Sequence, residues 1–449
     1  MTDSADGYVS EIGYAVAYHA ELNPLRARLA LLNAGWAAPD VTDACELGFG
    51  QGLALNIHAA ASQVRWRGTD GLPAHAAFAR ELAAASGADV ELDEQTFEVF
   101  CARTDLPDFD FIGLHGVWSW VSEANARIIA DFLGRKLKPG GVAYVSYNAL
   151  PGAAAMAPLR QVLVTHAATS TGGIGGRIDG AFDFAGRLMR LTPRYATRPE
   201  AVERVETLRR RGHGYLAHEY FNRNWRPMHV AGMAEALAPA GLSFACPAGL
   251  LDHVDPINLT GAQWTFLQDI ADPVLRQTAR DFMLNQEFRR DYWIKGPRRL
   301  SAQARNEALR EMRLVLTRPR AEVSLTVSGA LGEATLAEPL YGPVLDALDG
   351  RGPRAIGEIE QTLEGTGIGL SHIVQAAMVL AGKGDIAPAQ DAATADLTAP
   401  ATRALNAALL ALAHDEDGAV TLASPVTGGG VPVVGIDGPF LSRMLGVET

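Results

Sequence analysis

Three glycines at two-residue spacing, Gly48, Gly50 and Gly52, follow the apolar run Val41 to Leu47, and the acid Glu46 stands two residues before the first of them. Glycines placed where a strand hands over to a helix let the chain turn sharply and let a ligand approach the free amides of the helix N-terminus. Asp70 closes the next apolar run, Val64 to Thr69, where a carboxylate can accept hydrogen bonds from both hydroxyls of a ribose. Together these residues describe a seat for an adenosine-containing ligand. Leu53 stands where the third glycine of a dinucleotide-binding G-x-G-x-x-G belongs, so the spacing departs from that motif. Glu46 would repel a pyrophosphate, yet it suits a cationic amino group such as that of the methionine part of S-adenosylmethionine. The methyl donor therefore fits better than NAD, and thermal shifts with NADH and S-adenosylhomocysteine separate the two.

Such a seat needs a sheet behind it. Val41 to Leu47, Val64 to Thr69, Val90 to Leu92, Phe109 to Leu114 and Val142 to Tyr147 are short apolar runs alternating with helical segments. Strands joined through helices imply crossover connections and a mainly parallel, doubly wound α/β core over the first 150 residues. Before it, Leu22, Leu25, Leu29 and Leu32 predict a helix within Ala5 to Ala37. Residues from about Gly152 to Gly214 read as a helical insertion. Its run Thr171-Gly172-Gly173-Ile174-Gly175-Gly176 lacks the Gly-Lys-Ser/Thr of a phosphate loop and follows no strand, so it reads as a linker. Leu242 to Cys246 reads as a strand returning to the sheet. Thr260 to Arg320 reads as helical, Val323 to Val327 as a strand, Ala387 to Ala399 as a connecting loop, and Val420 to Val434 as a hairpin about Thr427-Gly428-Gly429-Gly430.

With 48% apolar and 20% charged residues, the chain's 449 residues can bury two or three cores. A formal charge of −12 opposes attraction to nucleic acid, and no uncharged apolar stretch is long enough for a bilayer. The run Arg209-Arg210-Arg211 and the cluster Arg289, Arg290, Lys295, Arg298, Arg299 read as solvated helix faces. Cys45, Cys101 and Cys246 are widely spaced, which suggests neither disulfides nor a zinc site and fits a reducing cytoplasm. The acidic N-terminus lacks the pattern of a signal peptide. His213, His218 and His229 match no common metal-ligand spacing, and no metal is expected.

Glu46-Leu47-Gly48-Phe49-Gly50-Gln51-Gly52, Asp70 and Leu137-Lys138-Pro139-Gly140-Gly141 together resemble class I S-adenosylmethionine-dependent methyltransferases over residues 40 to 150. Three more strings resemble the narrower bacterial group that carries a methyltransferase regulatory domain and includes rickettsial-type protein-lysine methyltransferases. They are Asp110 to Trp120 (DFIGLHGVWSW), Ser146 to Gly152 (SYNALPG) and Tyr215 to Asn222 (YLAHEYFN). The resemblance implies a Rossmann-like seven-stranded α/β sheet with a last antiparallel strand, followed by a mainly helical, winged-helix-like C-terminal region. It implies a donor-binding domain over 1–250 with the insertion at about 152–214, a regulatory helical segment over 251–330, and an α+β module over 331–449. By the same resemblance Glu46, Gly48, Gly50 and Gly52 would hold the methionine end of the donor, Asp70 its ribose, and Thr96 and Phe97 its adenine, with Asp93 or Glu94 as alternative adenine-side acids. Ala153 stands where the group has a tryptophan.

On the acceptor side, His115, Trp118 and Trp120 follow the fourth strand, and Tyr147 and Asn148 end the fifth. That is the carboxyl edge, where ligands bind in such sheets. His115, Tyr147 and Asn148 are accordingly expected to serve the reaction. Tyr14 and Tyr18 are candidates for a lid over the donor, and His218, Glu219 and Tyr220 for acceptor contacts. The expected reaction is methyl transfer to lysine of a protein substrate, with a possible homodimer. The alternatives are methylation of a small molecule and donor binding without turnover.

Overall fold

The computed structural model describes residues 9, 12, 16–191, 194, 205–412 and 420–433. The apolar runs form strands β1 (Asp43–Leu47), β2 (Arg65–Thr69), β3 (Val90–Asp93), β4 (Phe109–Leu114) and β5 (Leu137–Asn148), all parallel to their neighbours among these five. They alternate with helices: α1 (Pro24–Asn33) precedes β1, and α2 (Leu53–Ala61), α3 (Pro73–Ser86), α4 (Phe97–Cys101) and α5 (Glu123–Lys136) connect the strands. Strands β6 (Leu242–Pro247) and β7 (Phe288–Lys295) complete one seven-stranded sheet of order β3-β2-β1-β4-β5-β7-β6, with β7 antiparallel to both its neighbours.

Every residue of β1 and β4 is buried, because helices cover both faces. On one face Leu29 of α1, Leu55 of α2 and Ala79 of α3 share a core with Phe111 and Tyr292. On the other, Ile129 and Phe132 of α5 meet Ile112, Val145 and Trp293. Each such large apolar side chain contributes about 1.5–3 kcal/mol by leaving water. Local signals set the helix starts. Ser122 caps α5 by accepting from the Asn125 amide at 3.2 Å, and Arg135 and Lys136 occupy its last turn, where the helix dipole favours cations.

The N-terminal helix is shorter than its leucine spacing suggests. It starts at Pro24, capped by Asn23, and residues 18–23 form an extended strap with one short 3-10 turn, Ala20–Leu22. A proline disfavours helical geometry in the residue before it, which ends the possibility of a continuous helix from Ala5. Tyr18 therefore lies off the helix, and Tyr14 lies outside the described residues.

The larger correction is β7. Residues 260–320 do contain helices, including Gly261–Gln268 and Pro273–Leu284, but Phe288–Lys295 is an inner strand of the main sheet. The sheet thus runs past residue 250, where a domain boundary was expected. Arg289 and Arg290, expected on a solvated helix face, are on this strand instead. Arg289, 5% exposed, pairs with Asp281 at 2.5 Å and Asp291 at 2.8 Å, and Arg290 pairs with Glu21 at 2.6 Å.

Between β5 and β6 come α6 (Ala157–Thr169), α7 (Ile174–Leu191), α8 (His213–Tyr220) and α9 (Val230–Leu237). Leu163, Phe182 and Leu216 of the first three share a small core. The C-terminal region is mainly helical around a three-stranded antiparallel sheet of Arg313–Leu316, Arg354–Ala355 and Ile386–Ala389. The strand expected at Val323 to Val327 is Thr326–Gly329, paired with Gly332–Thr335. The expected loop at Ala387 to Ala399 is largely the start of a helix, Ala392–Leu412, opened by Asp391, whose carboxylate accepts from the Thr394 amide at 2.9 Å. The hairpin about Thr427-Gly428 forms as Val420–Ser424 paired with Gly429–Val433. Among the described residues no helix is long and apolar enough to cross a membrane.

Arg289→Ala strands Asp281 and Asp291 in the interior, so urea unfolding is expected to show a loss of about 3–5 kcal/mol. Arg310→Ala, which breaks the exposed pair with Glu360, is expected to cost at most about 1 kcal/mol in the same measurement.

Candidate functional site

At the carboxyl edge of the sheet, where β1 and β4 part toward opposite sides, a cavity of about 810 Å³ opens. The glycine loop forms one wall. Gly48, Gly50 and Gly52 have φ of +72°, +58° and +70°, a left-handed turn that side chains resist. A Cβ on Gly52 would lie 2.6 Å from the Cβ of Ala79, whereas one on Gly50 would meet nothing within 4 Å. The loop is thus tightly packed at its helix end and open in its middle.

Asp70 holds this turn. Its two carboxylate oxygens accept from the amides of Gly50 and Leu72, each at 2.9 Å, and His75 Nδ1 lies 3.3 Å away. Each oxygen has a second lone pair, so the same carboxylate can brace the loop and accept from a ligand hydroxyl.

Glu46 is 2% exposed and lines the cavity, and its Oε2 has no hydrogen-bond partner. Burial, followed by the charge of Asp70, pushes its carboxyl up to about 8. A buried carboxylate facing a second carboxylate is an electrostatic deficit that an incoming cation relieves. Gln95 also lines the cavity, with a buried and unpartnered Oε1 that suits an N–H donor. Thr96 and Phe97 lie beside it, at the start of α4. Asp93 and Glu94 are held by Arg103 at 2.7 Å and Arg80 at 3.4 Å, and neither lines the cavity. These residues fit S-adenosylmethionine: an orphan acid for its ammonium, Asp70 for its ribose, and an apolar, amide-bearing slot for its adenine.

The other end is aromatic. His115 stacks on His19 with ring centroids 3.4 Å apart, and its Nδ1 shares a hydrogen bond with the Tyr144 hydroxyl at 2.8 Å. Burial, reinforced by the neighbouring His19, holds His115 well below the usual imidazole range, and burial brings His19 down to about 4. Both rings are therefore neutral at pH 7. Trp120 and Phe288 complete this end, and Tyr215, His218 and Glu219 of α8 bring a further wall.

Two residues expected at the reaction centre are elsewhere. The Tyr147 hydroxyl donates to Asp291 at 2.8 Å inside the core on the α5 side of the sheet, and Asn148 Oδ1 accepts from Trp225 Nε1 at 3.1 Å. Neither lines the cavity. Strand side chains alternate between faces, so Tyr144 rather than Tyr147 reaches His115. Trp118 is core, donating to Met228 Sδ, while Trp120 lines the cavity. Ala153 is buried, and neither it nor Tyr220 reaches the cavity. His19, His75, Gln95 and Phe288 were not anticipated. Gln95 sits one residue before Thr96 and was within reach of motif reasoning, whereas His19 and Phe288 arrive from distant segments with no local signal.

A model described as a predicted methyltransferase regulatory domain matches residues 212–295, from the start of α8 to the end of β7. PKMT2 from Rickettsia typhi, solved in complex with AdoHcy, superimposes with a TM-score of 0.67 over 94% of this chain and 86% of that one, at 17% identity. Uncharacterized protein sll1526 of Synechocystis is 35% identical over 434 residues, covering 95% of this chain and 85% of that protein. The chain belongs to one family with sll1526, carries the predicted methyltransferase regulatory domain over residues 212–295, and has the fold of a class I S-adenosylmethionine-dependent methyltransferase. A shorter match joins it to uncharacterized protein RP028 of Rickettsia prowazekii, 41% identical over 58 residues, 13% of this chain and 23% of that protein. In this chain the matched regulatory segment is no separate appendage: it supplies β6 and β7 to the sheet and Tyr215, His218, Glu219 and Phe288 to the cavity.

Glu46 ties stability to pH. Its carboxyl titrates near 8 in the folded chain and near 4.5 ordinarily, so the folded state holds the extra proton. The corresponding stability is present below about pH 4.5 and is lost as pH rises to about 8. Glu46→Gln is expected to match the parent protein at acid pH and to exceed it by on the order of 2–4 kcal/mol at pH 8 without donor, read by urea unfolding at the two pH values.

Proposed function

We propose that this methyltransferase transfers the methyl group of S-adenosylmethionine to lysine side chains of a protein substrate. The observation that carries the donor half is Glu46, buried with an unpartnered oxygen beside an open glycine turn. The lysine half is supported by the aromatic end of the cavity and by the resemblance to rickettsial-type protein-lysine methyltransferases.

Bound there, the donor would supply an electrophilic methyl on a sulfonium: the amine nitrogen forms the new C–N bond in line as the C–S bond breaks and S-adenosylhomocysteine leaves with the electron pair. Glu46 would hold the donor ammonium, the backbone of Gly48 to Gly52 would border its methionine end, Asp70 would accept from its ribose, and Thr96 and Phe97 would flank its adenine with Gln95. His115, His19, Trp120 and Phe288 bound the acceptor end. A lysine amine has a reference pKa of about 10.4 and is inert as a nucleophile while protonated. The desolvating, aromatic end favours the neutral amine and lowers that pKa. His115, neutral and bonded to Tyr144, serves as an orienting wall there, and the proton passes to solvent before transfer. Aromatic faces steady the cationic product.

Tritiated donor incubated with host lysate is expected to label acid-precipitable protein at lysine, as located by mass spectrometry. Label confined to the acid-soluble fraction would mean a small-molecule acceptor, and donor binding without label a protein that binds but does not turn over. Asp70→Ala is expected to weaken donor affinity by about 1–3 kcal/mol in calorimetry, and unchanged affinity would take Asp70 out of the ribose role.

A further inference from the structure

The strap of residues 18–23 is tied to three distant parts of the chain. The Glu21 carboxylate pairs with Arg290 at 2.6 Å, and its carbonyl accepts from the Tyr292 hydroxyl at 2.7 Å. Leu22 fills the space over Gly113, where a Cβ would lie 2.3 Å from its Cδ2. Asn23 donates to the carbonyl of Thr427 at 3.1 Å, and the Tyr18 hydroxyl bonds the backbone of Gly430 and the side chain of Asn23. His19, between these anchors, is the ring stacked on His115 in the cavity wall.

Thr427 and Gly430 belong to the C-terminal hairpin. Asn406 holds that hairpin to the helix Ala392–Leu412, donating to the Ala423 carbonyl at 2.9 Å and accepting from its amide at 2.7 Å. Leu405, Leu409 and Leu422 share a core with Leu53 and Ile57 of α2 and Leu82 of α3. Gln390 donates to the carbonyl of Ala61, the last residue of α2, at 2.8 Å. The hairpin approaches Tyr18 closely: a Cβ on Gly429 would lie 2.6 Å from the Tyr18 hydroxyl, and one on Gly430 3.0 Å from two of its ring atoms. A segment that packs on the helix leaving the glycine loop, and also grips the residue before His19, touches both ends of the cavity from outside it.

We infer that Tyr18 is a positioning residue through which the C-terminal helix (392–412) and hairpin (420–433) set the His19–His115 wall at the acceptor end of the cavity. This segment lies outside the residues matched by the regulatory-domain model. Tyr18 and His19 share one stretch of backbone, so the bonds that hold Tyr18 also fix where His19 leaves the chain. The inference rests on the methyl-transfer reading for its activity arm alone.

The test uses the full-length chain with Tyr18→Phe, which keeps the ring and removes the hydroxyl bonds to Gly430 and Asn23. Ile359→Val, which removes one buried methyl group, serves as a control of comparable lost stability. Imidazole resonances of His19 and His115 are followed by NMR without ligand, the Kd of S-adenosylhomocysteine by calorimetry, and kcat and KM by methyl transfer. The His19 and His115 resonances are expected to shift in Tyr18→Phe and not in the control, with donor Kd within about twofold and kcat lowered about tenfold, the order that small misplacements of reacting groups produce. Unmoved resonances overturn the inference whatever the activity. Shifted resonances with an unchanged kcat, or a kcat loss equal to that of the control, overturn the link to turnover. If the parent protein shows no transfer to protein lysine, that reading fails, and the resonances still decide whether Tyr18 sets the histidine wall.

Discussion

The site turns on a carboxylate buried beside another carboxylate. Glu46 ends in a cavity with an unpartnered oxygen, and its charge is disfavoured first by burial and then by Asp70. Folding tolerates this because Asp70 is engaged with two loop amides, and because the strand carrying Glu46 is fully buried in the centre of the sheet. A cation brought to Glu46 relieves the deficit, so ligand recognition draws on an instability already present in the fold. Sites that bind charge commonly hold such unsatisfied groups, which stability alone would remove.

The second constraint is that the cavity is assembled from pieces far apart in the chain. The glycine loop comes from the first strand, His115 from the fourth, Phe288 from β7, Tyr215 and His218 from α8, and His19 from the N-terminal strap. Strand β7 is the organiser of the late pieces. Inserted antiparallel between β5 and β6, it places Phe288 opposite Asn148 at the carboxyl edge. Its Arg290 and Tyr292 then anchor the strap at Glu21. A regulatory segment built into the sheet in this way shares one core with the donor loop, which couples any change in one to the shape of the other.

The ionic interior beside the cavity serves a different end. Arg289 lies between Asp281 and Asp291, and Asp291 also accepts from Tyr147. Buried networks of this kind contribute less net stability than their contacts suggest, but breaking one partner is costly, so they fix the geometry of the elements they join. Here those elements are β5, β7 and the helix Pro273–Leu284, and the Tyr147 hydroxyl is part of that network.

The strands β1 to β5 could be read from the sequence because strands covered on both faces are continuous apolar runs. The glycine loop, Glu46 and Asp70 could be read because a strand-to-helix turn is local and its residues are adjacent or nearly so. Strand β7 could not: Phe288-Arg289-Arg290-Asp291 looks solvated, and only the partners Asp281 and Glu21, brought in by the fold, make those charges compatible with burial. Nor could the fate of Tyr144 and Tyr147, since alternation separates their faces while only the packed neighbours decide which face meets the cavity. His19 against His115, and the return of the C-terminal hairpin to Tyr18, join residues hundreds of positions apart. By itself the sequence determined the donor loop and the parallel half of the sheet, whose physics is local. The tertiary structure alone decided the acceptor wall, because contacts between distant segments leave no periodicity or spacing in the chain.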